Sequence, residues 1–420
     1  MGNTKKINRQ ITKFGLYGFF KNLRFFDPIL LIFLYSFGLY AFQIGILYAI
    51  REMMIYIFEI PSGVFADQYG KKTELIICFV FYVLSFVVFA IGTNFYVFAI
   101  AMILFGLGEA FRSGTHKSII MLFLDMHDLS HIKSKIYGKT RSYSMIGSMV
   151  SSLFTIVLVM TVSDLKFLFI LAIIPYLIDI GLVLSYPKVL NDKKQIHFNW
   201  KYFIKENINA IKYVFKDHQM RDILMSSSSF QAMFKILKDF IQLILVSIPI
   251  TYLLFSQYNS EQHVKIYAAI MYAFIFLISA ITSRNSYLLL KLRNAKSIVK
   301  AMWLMSGISS LIIGIFVQQI LIVFIGFILL YICLNIRKPL MVEIIGDYAN
   351  KDKRASVLSV DSQLTSLFIV IFAPILGFLS DTYSLSFMFI LVGIIMIITY
   401  ILLTLRHNTN KKVLQWNPLP

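Results

Sequence analysis

The chain predicts an all-α polytopic membrane protein, with twelve transmembrane helices in two pseudosymmetric six-helix bundles, and three observations carry that prediction. Hydrophobic residues fill 58% of the 420 positions and charged residues only 15%, with a mean hydropathy of +0.75. Soluble cores do not require that much apolar surface. The apolar residues come in runs of about 20, the length that carries a helix across a bilayer. The basic residues collect in alternate connections between the runs, the asymmetry that sets membrane topology.

In chain order the spans fall at roughly 14–38, 43–66, 74–93, 96–121, 140–161, 165–186, 223–248, 264–283, 297–317, 319–342, 356–380 and 384–405. The polar segment between the sixth and seventh divides them equally, so the expected units are a bundle over 1–186, a linker over 187–222, a bundle over 223–405 and a tail over 406–420. Lys5, Lys6 and Arg9 lead into a first span that carries charges and offers no small-residue cleavage site, so this helix is expected to direct insertion itself. With the amino terminus inside, 29 of the 40 Lys and Arg lie in cytoplasmic segments and only Lys166 and Lys265 outside. Both termini are therefore expected in the cytoplasm, in a multi-pass protein of the cell (inner or plasma) membrane. The same distribution explains the net charge of +19 without nucleic acid. In the linker, Lys193, Lys194, Lys201 and Lys205 alternate with Trp200, Tyr202, Phe203 and Ile204, a mixture suited to amphipathic helices on an anionic leaflet.

Ionisable side chains inside a bilayer cost several kcal/mol unless they find partners or water, roughly 2.5–3.5 kcal/mol each on insertion scales. Those within the spans are therefore the candidate machinery. They fall in sets at helical spacing: Lys21, Arg24 and Asp27; Arg51, Glu52 and Glu59; Glu109 and Arg112; Lys235, Lys238 and Asp239. Residues three or four apart share a helix face, so each set is expected to project both signs into the interior and line a substrate path. Asp27, Glu59 and Glu109 are the candidates for a proton-carrying carboxylate. Asp179, Lys117, Arg337, Lys338 and Glu343 complete the set, and with nine bases against seven acids, mutual structural pairing is the competing reading. Phe20 to Phe26 in the first span and Phe234 to Phe240 in the seventh both place two bases three apart, which supports two related halves. Ser144, Ser148 and Ser152 recur every four residues and permit close packing.

Between the second and third spans lies Gly63-x-x-x-Asp67-x-x-Gly70-Lys71-Lys72, expected as a short polar loop at the membrane surface with its bases on the cytoplasmic side. This pattern resembles the loop motif that joins the second and third membrane helices in the major facilitator superfamily. The resemblance implies two bundles rocking about a central site that opens to alternate sides. It also implies that Gly63 lets its helix pack closely on the other half and that Asp67 faces the positive end of a partner helix, with Gly70, Lys71 and Lys72 completing a gating loop. Gly106 to Gly114 resembles the family's fourth-helix pattern, in which an arginine takes part in proton coupling, and Arg112 stands at that position. The fifth span holds Gly147 to Ser152 without the proline of many drug antiporters. The stretch from Asn335 through Pro339 to Asp347 is similar to poorly characterised bacterial members.

These readings point to a secondary active transporter for a small solute, anionic or zwitterionic, driven by protons and acting as a monomer in the lipid bilayer. The alternatives are a multidrug efflux antiporter and, from another class, a receptor or scaffold that keeps the fold without transport. No Walker loop, zinc spacing or nucleophile elbow occurs, so neither an enzyme nor a resident cofactor or metal is expected. Cys78 and Cys333 both lie in apolar runs, without metal or disulfide spacing.

Overall fold

The computed structural model describes residues 2–129, 133–162, 164–191, 209, 211–248, 260–285, 295–349 and 354–415, and among these no strand occurs. The helices are α1 (Gly2–Lys21), α2 (Leu30–Ser36), α3 (Ala41–Tyr69), α4 (Lys71–Ile91), α5 (Phe95–Arg112), α6 (Thr115–Met126), α7 (Lys133–Thr161) and α8 (Lys166–Leu184). The second half adds α9 (His218–Ser247), α10 (Ser260–Asn285), α11 (Ala295–Ile315), α12 (Ile320–Tyr348), α13 (Arg354–Thr382) and α14 (Leu385–Gln415). Ten spans among the described residues are long and apolar enough to cross a membrane. The first and seventh expected spans are helical too, but carry Lys21 or the Lys235, Lys238 and Asp239 set.

Three expectations need correction. The span over 14–38 is broken after Lys21: Asn22 Nδ2 turns back to the Gly18 carbonyl at 2.6 Å, and a short 3-10 turn at Asp27–Ile29 precedes α2. Pro28 lacks the N–H that a continuous helix would use, so Lys21, Arg24 and Asp27 do not share one helical face. The fourth span is likewise two helices, separated at Ser113 and at Gly114, whose φ of +76° is open to glycine. The motif between spans two and three is not a loop of twelve residues. α3 runs through Pro61 to Tyr69, and Gly70, at φ +97°, makes the whole turn into α4. Helix α14 also continues through Gln415, where a tail was expected from 406. The amphipathic reading of Lys193 to Phe203 lies outside the described residues.

Helix pairing repeats between the halves. α1 packs on α7 as α9 packs on α13; α3 packs on α5 as α10 packs on α12; α4 packs on α8 as α11 packs on α14. The halves meet along α3 with α13 and α7 with α10. Both seams join the second helix of one half to the fifth of the other, which is the pairing a twofold axis between bundles produces.

The first seam is tight at one end. The N–H groups of Ala41 and Phe42, which open α3, donate to the Asp381 carboxylate at 3.0 and 2.7 Å. A Cβ on Gly45 would strike the carbonyl of Ala373, and one on Gly377 the carbonyl of Ala41. At the other end of α3, Gly63 is exposed and open space surrounds the position of its missing Cβ. The close helix contact expected at Gly63 is therefore absent in this conformation.

Candidate functional site

The break after Lys21 sends Arg24 and Asp27 into the middle of the molecule, where they meet residues of α3 and of the second half. The resulting cavity, of about 100 Å³, is lined on one side by Arg24, Asp27, Tyr48 and Arg51 and on the other by Lys238, Asp239 and Tyr272. Three bases and two acids thus face one space from both bundles. Gln242 stitches its floor: it accepts from the Leu31 N–H at 2.8 Å and donates to the Asp27 carbonyl at 3.0 Å and the Tyr272 hydroxyl at 3.1 Å. Sequence periodicity offered no reason to single out this glutamine.

Glu109 sits behind the cavity wall, clamped between two arginines. Its carboxylate accepts from Arg24 at 2.7 Å and from Arg112 at 2.5 Å. Arg24 also donates to the Tyr176 hydroxyl at 2.7 Å, Arg112 donates to that of Tyr82 at 3.2 Å, and the Arg24 guanidinium stacks over Phe105 at 4.9 Å. Charge-assisted bonds of this kind hold both arginines in place. Glu52 performs the same role across the interface, bonded to Arg51 at 3.0 Å, to Lys235 of α9 at 3.6 Å and to the Ser366 hydroxyl of α13 at 3.0 Å. Lys238 pairs with its neighbour Asp239 at 3.0 Å. Glu59 accepts from Ser113 at 2.8 Å and from Ser362 of the other half at 3.3 Å. The Asp27 carboxylate alone among the three proton-carrier candidates makes no hydrogen bond or ion pair among the described residues, although it faces the cavity.

The motif residues lie apart from this centre. The Lys72 N–H donates to Asn191 at 2.9 Å, and its ammonium reaches the Tyr186 carbonyl at 2.5 Å and the Leu184 carbonyl at 3.3 Å. It therefore caps the carboxyl-terminal end of α8, where a cation is favoured. Gly70 abuts the Asn191 side chain, Lys71 starts α4, and Asp67 is half-buried near the end of α3.

Two buried polar centres were not legible as sites. Arg337, 1% exposed, donates to the carbonyl and hydroxyl of Ser226 and stacks over Phe230 at 4.2 Å; nearby, Asp361 accepts from Ser227 and Gln231, both at 3.2 Å. The serine run at 226–229, expected as a hydrated helix start, supplies those partners. Asp179 is fully buried with neither carboxylate oxygen hydrogen-bonded. Among the described residues no group of His, Cys, Asp and Glu is arranged to hold a metal.

A sequence profile of the Major Facilitator Superfamily matches residues 15–299 and 286–417. The chain belongs to the major facilitator superfamily. As a member of this superfamily it is a multi-pass membrane transporter of small molecules, not an enzyme. A stretch of 93 residues is 36% identical to the MFS-type transporter YxaM of Bacillus subtilis (strain 168), spanning 22% of this chain and 23% of that protein. The fold matches the nucleoside transporter NupG at a TM-score of 0.77, with 13% identity over 94% of this chain and 99% of that one. A POT family transporter in complex with 5-aminolevulinic acid gives 0.78, with 12% identity over 94% and 96%. The human organic anion transporter MFSD10 gives 0.64, with 12% identity over 94% and 99%.

Proposed function

We propose that this protein is a secondary active transporter that moves a small zwitterionic or anionic solute by alternating access, with protons as the driving ion and Asp27 as the carboxylate that carries them. The observation behind this reading is the central cavity, lined from both halves by Arg24, Arg51 and Lys238 and by Asp27 and Asp239. Separated charges of both signs in a small enclosed space complement a solute bearing an ammonium and an acid group, such as the 5-aminolevulinic acid held by one structural neighbour. Since Glu109 and Glu59 are already bonded, Asp27 is the acid left to gain or lose a proton as the cavity changes its exposure. The units are the bundles over 1–186 and 223–405, acting as a monomer with both termini cytoplasmic. In that orientation the seam at Asp381 closes the outer side and the cavity is reached from the cytoplasm.

The test begins with a thermal-shift screen of amino acids, dipeptides and organic acids. Hits are then followed in proteoliposomes under an imposed pH gradient. Uphill accumulation should collapse with an uncoupler while counterflow persists, and Asp27→Asn should keep counterflow but lose accumulation. Accumulation that ignores the uncoupler would remove the proton from the scheme.

A further inference from the structure

A second cavity of about 150 Å³ lies within the first half, between α1, α5, α6 and α7. Its volume is roughly ten times what a single water needs. Lys21, Arg112, Lys117 and Arg141 line it, with no carboxylate among the lining residues. The contrast with the central cavity is a matter of charge balance. There, bases and acids nearly cancel; here, only Arg112 has a carboxylate, Glu109, and that is shared with Arg24. Lys21 and Arg141 make no hydrogen bond or ion pair from their side chains to any described residue. Lys338 of the second half adds its charge to the field around Arg141 and Lys117.

The helix break sharpens this field. Gly114 lines the cavity, and because its left-handed backbone ends α5 and restarts the chain as α6, the first turn of a twelve-residue helix begins at the cavity wall. The first hydrogen bond of α6 runs from the Ser118 N–H to the Gly114 carbonyl, so the N–H groups of Thr115, His116 and Lys117 are left without intrahelical acceptors. Interrupted membrane helices commonly direct such ends at anionic groups. Tyr17, only 4% exposed, also lines the cavity, and its hydroxyl has no hydrogen-bond partner among the described residues. Two cations without carboxylates, a helix amino terminus and an unused hydroxyl leave the site short of negative charge.

We infer that this cavity binds a doubly charged oxyanion of the phosphate-monoester kind, with Lys21 and Arg141 as its principal ligands. A single carboxylate would leave one of these cations uncompensated, whereas a phosphate group carries about −1.5 to −2 and matches both; its tetrahedral oxygens also suit the fork of an arginine. The inference rests on the transporter reading in treating the cavity as part of a solute path, and it places the anionic end of the solute here rather than in the near-neutral centre.

Inorganic phosphate is the probe, titrated against the full-length protein in neutral, lipid-free detergent at fixed ionic strength, with chloride as the control. Phosphate should raise the melting temperature where chloride does not. Lys21→Gln and Arg141→Gln should each weaken its apparent affinity roughly ten- to a hundredfold. Lys21→Arg should restore it to within a few-fold, showing that charge rather than folding is read, and Lys238→Gln should leave the titration unchanged. Equal shifts from phosphate and chloride, or full response in both glutamine variants, would overturn the site. Protection by phosphatidic acid vesicles without any response to phosphate would assign the cavity to a lipid headgroup and overturn it equally. Because this is equilibrium binding, it is independent of flux: intact phosphate binding with no proton-driven transport would refute the transport scheme and leave the site standing.

Discussion

At the residue scale, the buried charges divide by what they touch. Glu109 is fully engaged by Arg24 and Arg112, and those guanidiniums face each other if it is removed. Losing one member of a buried ionic network costs about 3–5 kcal/mol. Glu109→Gln is therefore expected to lower the detergent melting temperature markedly, while Glu59→Gln, which keeps an acceptor for Ser113 and Ser362, lowers it much less. Equal melting of the two variants would contradict the clamp. Asp27 is the complementary case: an acid with no bonded partner is free to change its protonation, and a clamped one is not.

Among the elements, interrupted helices and one end cap matter most. The breaks after Lys21 and at Ser113–Gly114 bring Arg24, Asp27 and the α6 amino terminus to the two cavities, positions that straight helices would not give them. Asp381 joins the halves by accepting from the first N–H groups of α3, a cap across the seam that also meets the positive end of that helix. Removing an N-cap acceptor typically costs about 0.5–2 kcal/mol. Asp381→Ala should shift the population toward separation at this end. Spin labels at Tyr40 and Tyr383, both exposed there, should then show a longer and broader distance distribution. An unchanged distribution would show that the glycine contacts at Gly45 and Gly377 hold the seam without the cap.

For the whole molecule, one end of the α3 seam is closed and Gly63 at the other is free. If the halves rock, Gly63 becomes buried when the Asp381 end opens. A Gly63→Cys variant should react with a membrane-impermeant thiol reagent only in inside-out vesicles, because Cys78 and Cys333 are buried and contribute little background. Protection of that cysteine in Asp381→Ala would link the two ends. Labelling that is equal from both faces would contradict the proposed orientation.

The primary structure alone determined the class, the number of spans and the membership of the charged sets, because hydrophobic length and charge placement respond to the bilayer, which acts on each segment separately. It also marked Lys21, Arg24, Glu109, Arg112, Glu52 and Lys235 as interior residues. Spacing along one helix could not say which of them pair, since the partners of Glu52 come from α9 and α13 and those of Glu109 from α1 and α5. Nor could it anticipate the break after Lys21, the single-residue turn at Gly70, or the capping role of Asp381. Those depend on where a second segment arrives, and only the tertiary structure sets that distance, through packing between helices far apart in the chain.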